Sequence, residues 1–214
     1  MKVVEIFKSI DGEGKRAGLP TTFIRLFGCN LNCSYCDTRY GCEGDNYKIM
    51  SIPNILDRLE RYGTKSITIT GGEPLIHPGI NHLINLLVRK GYWVNIETNG
   101  SQYIGHLPAN PNVFVTMDYK CPSSGMQDKM CLTNLHTLST NDVLKFVVGS
   151  HEDLVCALSI LEEYKPSAQV YFSPVFGEIE PAAIVDFILH HKLDNCKVQL
   201  QMHKIIWEPN KRGV

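Results

Sequence analysis

Nowhere does the chain of 214 residues carry a run of about 18 apolar residues, the length that a helix needs to cross a bilayer, and a helical membrane span is excluded. It has no excess charge of either sign. Its 21 Lys and Arg stand against 22 Asp and Glu, a net charge of -1, which gives no electrostatic surplus for coating a nucleic acid. Nor is there an export-type apolar core at the start. Met1 to Phe7 is interrupted by Glu5 and followed by Lys8, so a cytoplasmic protein is expected. No internal repeat and no low-complexity linker divides the sequence, and a single domain over residues 1–214 is expected. The eight histidines show no metal-ligand spacing, and His190-His191 reads as an exposed helix end. Cysteine, by contrast, is plentiful: eight residues, three of them within the stretch Cys29 to Cys36.

Hydrophobic periodicity alternates between the two regular periods. Thr22 to Phe27 reads as a strand that stops at Gly28. Ile52, Ile55, Leu56 and Leu59 then recur at helical spacing, with Ser51 placed to cap the helix and Pro53 in its first turn. Ser66 to Thr70 is a strand broken by Gly71-Gly72, and Ile80, Leu83, Ile84 and Leu87 form the next helical face. Further strands are expected at Trp93 to Glu97, Val113 to Met117, Val143 to Val148, Val170 to Phe172 and Lys197 to Gln201. Helices are expected after Ser150, which with Asp153 resembles a capping box, and over Pro181 to His191. Cys121 to Thr140 is polar and aperiodic and reads as a loop with a little helix. Strands alternating with helices predict an α/β chain with a mostly parallel sheet, whose binding groups gather at the carboxyl ends of the strands.

Cys29-Asn30-Leu31-Asn32-Cys33-Ser34-Tyr35-Cys36 follows the first of those ends. Three thiolates converging from one loop suit an iron–sulfur cluster, with one iron left open for another ligand. A structural zinc site wants four ligands, and Cys42 could supply the fourth. Cys42, Cys121, Cys131, Cys156 and Cys196 are otherwise free thiols of a reducing compartment. An electron carrier, which needs every iron ligated, is the non-enzymatic alternative.

The cysteine triplet with Tyr35 before its last member, followed at a later strand end by Gly71-Gly72-Glu73-Pro74, resembles the radical S-adenosylmethionine (SAM) superfamily. The resemblance implies a partial, open β/α barrel of about six mostly parallel strands with helices outside. It also implies one [4Fe-4S] cluster on Cys29, Cys33 and Cys36, with SAM bound at the open iron. The two glycines would let backbone approach the methionine end of SAM. Tyr35, Cys36, Asp37, Gly72 and Glu73 would contact SAM, as would Glu97 and Asn99 of a Glu-Thr-Asn-Gly run. The segments Asp118-Tyr119-Lys120 and Ser173-Pro174-Val175-Phe176 match two further SAM-binding stretches by position.

Over nearly its full length the chain resembles the 7-carboxy-7-deazaguanine synthases of the queuosine pathway. Ile10-Asp11-Gly12-Glu13-Gly14 resembles their substrate loop, and Arg25 and Thr70 match substrate contacts. Thr38, after Asp37, matches a Mg2+ ligand, and His203 and the Val214 carboxylate match a chain end folded over the substrate. Arg25 suits a bidentate contact with a carboxylate. The substrate implied is 6-carboxy-5,6,7,8-tetrahydropterin, the electron donor a flavodoxin or ferredoxin, and the assembly a homodimer. Asp11 departs from the Gln common in that loop, exchanging an amide for a carboxyl that would favour a cationic substrate. A queuine lyase on the same scaffold, acting on an amine-bearing 7-deazaguanine, is the alternative.

Overall fold

Alternation within the strands decides where the site lies. The computed structural model describes residues 1–214 and contains one open sheet of nine strands. They are β1 (Lys2–Ile10), β2 (Pro20–Leu26), β3 (Lys48–Ile49), β4 (Ser66–Gly71), β5 (Trp93–Thr98), β6 (Val113–Tyr119), β7 (Val143–Val148), β8 (Gln169–Pro174) and β9 (Cys196–Val198). Their order across the sheet is β3-β1-β2-β4-β5-β6-β7-β8-β9. β2 through β9, β3 aside, pair in parallel, while β1 runs antiparallel to both β2 and β3. The expected parallel array is therefore present and is extended at one edge by a hairpin. β1 escapes a periodicity reading because its burial does not alternate cleanly along its length.

The connecting helices are α1 (Ile52–Tyr62), α2 (Ile80–Arg89), α3 (Thr133–Thr137), α4 (His151–Tyr164), α5 (Pro181–His190) and α6 (Met202–Ile206). Ser51 caps α1 by accepting from the Asn54 N–H at 3.3 Å, an interaction of about 1 kcal/mol. Ser150 caps α4 in the same way, from Asp153 N at 3.2 Å. Asp153 does not close the box. It is fully buried, and its carboxylate accepts from Ser123 N at 2.8 Å and Gly149 N at 2.7 Å, fastening the loop after β6 to the start of α4.

Ile24 and Leu26 of β2, Ile67 and Ile69 of β4, Val94 and Ile96 of β5, Leu144 and Phe146 of β7 and Phe172 of β8 join one continuous apolar core with the helices. Residues of opposite parity, among them Arg25, Thr70, Glu97, Asp118 and Lys145, line a cavity on the other face of the sheet. Period-2 geometry thus sorts these strands into an apolar face under the helices and a polar face over the cavity.

No helix is long and apolar enough to cross a membrane.

Candidate active site

The cavity has a volume of about 690 Å3, within the range of small-molecule sites, and it lies where the parallel strands end. One part of its wall is sulfur-rich. Cys29, Cys33 and Cys36 all reach it from the loop after β2. Cys29 Sγ accepts from Leu31 N at 3.4 Å and from Asn99 Nδ2 at 3.5 Å, and Lys120 contributes positive charge to all three sulfurs. Cys42 lies within hydrogen-bonding reach of Cys29 and Cys36, and its hydrogen bonding is the largest influence drawing each of those thiols down to about 6. Burial pushes Cys33 up. Donors and a cation around thiolates are the surroundings a cluster needs. No three His, Cys, Asp or Glu side chains converge closely enough for a single metal ion.

Gly71 and Gly72 owe their identity to packing. A Cβ on Gly71 would run into the Leu26 backbone, and one on Gly72 into the Gly28 carbonyl and Cys29. The glycines seat the end of β4 against the cysteine loop and so fix the loop's height above the sheet, rather than merely baring backbone toward SAM.

Glu73, expected to contact SAM, is fully buried and does not line the cavity. Its carboxylate accepts from Leu75 N at 2.9 Å, Thr98 Oγ1 at 2.8 Å and Asn99 N at 2.6 Å, tying the end of β4 to that of β5. Burial pushes it up to about 7 against the pull of these bonds. Glu73→Gln replaces an acceptor oxygen with an NH2 group facing other donors, and a stability loss of about 2–3 kcal/mol is expected by urea unfolding.

Tyr119, Ser173 and Pro174 also stand outside the cavity wall. Strand alternation explains Tyr119: Asp118 and Lys120 face the cavity, so Tyr119 turns to the core and packs on Phe146 with ring centroids 5.5 Å apart. Ser173 is fully buried and donates to Glu13 Oε1 at 3.1 Å, while Pro174 closes β8. Val175 and Phe176 reach the cavity, as do Tyr35, Asp37, Gly72 and Asn99. Asp118 Oδ2 takes Lys120 Nζ at 2.9 Å, but its Oδ1 is buried with no partner, an acceptor left over for a bound molecule.

The rest of the wall carries a dense set of charges. Ile10, Asp11, Gly12, Glu13, Arg25, Thr38, Thr70, Glu97, His203 and Val214 all line it. Arg25 Nε donates to Glu5 Oε1 at 2.8 Å, which leaves both terminal nitrogens without a protein partner. Glu13 Oε2 pairs with Lys145 at 3.2 Å, and that cation holds the Glu13 carboxyl below its ordinary value despite burial. Glu97 was expected beside SAM. Its neighbours are instead Lys145, Thr70, Glu13 and Arg25, the company of the proposed substrate loop.

Thr38 Oγ1 donates to Asp37 Oδ1 at 2.9 Å, and Asp37 pairs with Lys204 at 3.2 Å. Thr38, expected as the magnesium ligand, places its hydroxyl at the cavity wall, an oxygen that an ion keeping most of its waters would accept.

The chain end reaches back over this region. Gln199 Oε1 accepts from Gly14 N at 2.6 Å, Met202 N donates to the Gly12 carbonyl at 3.1 Å, and Arg212 stacks over Tyr40 at 3.9 Å. His203 packs on Gly12 so closely that a Cβ there would strike its ring. Sequence reasoning missed Lys145, Lys204 and Gln199. A lone Lys inside the apolar strand Val143–Val148 was a usable signal for the first, whereas the other two depend on contacts remote in sequence.

Residues 23–110 match the radical SAM superfamily. A 7-carboxy-7-deazaguanine synthase of Clostridium acetobutylicum is 48% identical over 100% of this chain and 99% of its own length. One of Methanospirillum hungatei is 39% identical, over 98% of this chain and 86% of its own. Among solved structures, QueE from Escherichia coli superposes with a TM-score of 0.76 at 26% identity, covering 94% of each chain. Streptococcus suis SuiB bound to S-adenosylmethionine superposes at 0.56 and 12% identity, over 83% of this chain and 46% of its own, a likeness of fold alone. These relatives do not favour the queuine-cleaving alternative. The chain belongs to the 7-carboxy-7-deazaguanine synthase family of the radical SAM superfamily, enzymes that use a [4Fe-4S] cluster and SAM.

Proposed function

We propose that this radical SAM lyase converts 6-carboxy-5,6,7,8-tetrahydropterin to 7-carboxy-7-deazaguanine with loss of ammonia. The observation that carries the reading is one cavity with two kinds of wall: three thiols with Lys120, and a charged set able to grip a polar ring and a carboxylate. Cys29, Cys33 and Cys36 would hold the cluster. Tyr35, Asp37, Gly72, Asn99, Asp118, Lys120, Val175 and Phe176 would enclose SAM. Cluster and SAM, when bound, would supply the hydrogen-abstracting radical chemistry at C6 of the substrate.

The protein's own work is positioning and exclusion of water. Arg25 offers its two free nitrogens to the substrate carboxylate, and Mg2+ at Thr38 would take the same group from another side. Asp11, Glu13, Thr70 and Glu97 address the ring, with Lys145 balancing the acidic side chains. His203, Lys204 and the Val214 carboxylate bring the chain end over the bound molecule, and Arg212 on Tyr40 anchors that cover. Glu73, Tyr119, Ser173 and Pro174 support from behind. An electron donor of flavodoxin or ferredoxin type, a homodimer and a cytoplasmic setting complete the reading, on resemblance alone.

The test is anaerobic turnover of the reconstituted protein with SAM, reductant and Mg2+, offering the pterin and queuine separately and reading products by mass spectrometry. Carboxydeazaguanine from the pterin is expected; cleavage of queuine with the pterin untouched would overturn the assignment. In the same assay Arg25→Lys should raise KM for the pterin by about 10- to 100-fold. A lysine cannot keep Glu5 and also present a planar pair of donors.

A further inference from the structure

Asp11 is the least compensated charge-bearing group of the cavity wall. It is 1% exposed, at the turn out of β1, with its backbone locked by Asp11 N to the Leu19 carbonyl and Gly18 N to the Asp11 carbonyl, both at 2.8 Å. Its one side-chain hydrogen bond comes from the Thr68 hydroxyl of β4 to Oδ2, at 3.2 Å. No Lys, Arg or His forms an ion pair with it. The charged groups around it are Glu97 from β5, Glu13 from its own loop and, more weakly, Arg16 from the following turn. Glu97 in turn has Lys145 of β7 and Arg25 of β2 beside it, and Glu13 has Lys145.

Two neighbouring carboxyls in a dry wall cannot both ionise cheaply. Burial pushes both Asp11 and Glu97 up, but Lys145 and Arg25 oppose it at Glu97 and only Arg16, weakly, among the cations at Asp11, so Asp11 keeps the proton more readily. Burial and the charge of Glu97 push Asp11 up to about 8, in agreement with that argument. A protonated carboxyl is no longer acceptor-only. It carries one O–H donor beside one carbonyl acceptor, the pattern of a side-chain amide.

We propose that Asp11 reads the substrate ring as a neutral carboxylic acid, its O–H donating to a ring acceptor while the carbonyl oxygen, steadied by Thr68, accepts from the adjacent N–H. This rests on the functional reading above, since a 2-amino-4-oxopyrimidine ring presents such donor–acceptor pairs. It also removes the attraction for a cationic substrate that an ionised Asp11 would exert. The partition within the wall is then chemical: Asp11 reads a mixed edge, and Glu13, which Lys145 holds below its ordinary value, is left for a donor-rich group.

The experiment compares wild type, Asp11→Asn and Asp11→Ala in two measurements. The first is thermal unfolding of the ligand-free protein from pH 6 to 9. The native state holds the Asp11 proton more tightly than the unfolded chain, so wild type should lose stability relative to Asp11→Asn as pH rises from 6 toward about 8 and the difference should level off above it. The second is pterin binding by anaerobic calorimetry over the same range. Wild-type affinity should fall by about tenfold per pH unit above the Asp11 titration. Asp11→Asn should bind within about fivefold of wild type at pH 7, lack that alkaline limb and bind more tightly than wild type at pH 9. Asp11→Ala should bind weakly throughout.

Loss of binding in Asp11→Asn equal to that in Asp11→Ala, with parallel unfolding curves, would mean an ionised Asp11 and overturn the proposal. If wild type binds no pterin, the functional reading fails, and the substrate-reading role of Asp11 falls with it. The ligand-free curves would still decide separately whether its carboxyl is protonated.

Discussion

Cys33→Ala is expected to abolish SAM cleavage, by roughly 10^3-fold or more, the scale on which groups acting as a unit are lost. Three thiolates leave one iron open; removing one of them leaves a second iron without a protein ligand, and the cluster is then lost or loses its shape. Cys33 is the most informative of the three because it is buried at 8% exposure and, unlike Cys29 and Cys36, is pushed up by burial, which Lys120 opposes, with no hydrogen bond from Cys42. The checks are iron and sulfide content after reconstitution, the visible absorption of the cluster, and 5'-deoxyadenosine released under reductant. Two controls make the result specific. Cys196→Ala, on β9 and outside the cavity, should keep full iron and activity. Cys42→Ala should keep its iron stoichiometry; loss of iron on that substitution would mean four thiolates hold the metal and would sink the open-iron assignment.

The parts of this architecture that were legible in the sequence are those set by local physics. Ser51 with Pro53 announces α1, the break at Gly71-Gly72 marks the end of β4, and the spacing of Cys29, Cys33 and Cys36 declares its chemistry before any fold is known. What was not legible depends on parity or on distance along the chain. β6 continues to Tyr119, two residues beyond the expected end, and that extension decides that Asp118 and Lys120 share the cavity while Tyr119 does not. Glu73 shares a tetrapeptide with Gly72, yet the chain turns between them, so the glycine lines the site and the acid braces it. Glu97 was assigned by the motif around it, whereas its surroundings come from β2, β4 and β7 and so from the strand order. Gln199 and Lys204 act on residues far earlier in the chain, Gly14 and Asp37. No window of sequence contains both partners of either contact.

Lys145 carries the second large effect, on stability as well as on binding. Its ammonium lies 3.2 Å from Glu13 Oε2 and 4.0 Å from Asp118 Oδ2, with Glu97 also nearby. Its side chain is 10% exposed and that of Glu13 14%, so solvent screens the pair little. Lys145→Met preserves the aliphatic stem and removes only the charge, which leaves Glu13 buried beside Glu97 with no cation on that side. Breaking a buried pair in this way costs about 3–5 kcal/mol, and urea unfolding at pH 7 should show a loss of that order. The pH dependence has a definite sign. Glu13 is held below its ordinary 4.5, so its part of the pair's stabilisation is present above that pH and disappears as pH falls through the lowered native value. The deficit of Lys145→Met should therefore shrink in acid. Adding Glu13→Gln to Lys145→Met should recover much of the stability at pH 7, because the stranded carboxylate is gone. It should not recover pterin binding, since the ring then loses Glu13. A double variant no more stable than Lys145→Met would mean that the lysine acts through its packing and not through the acids it faces.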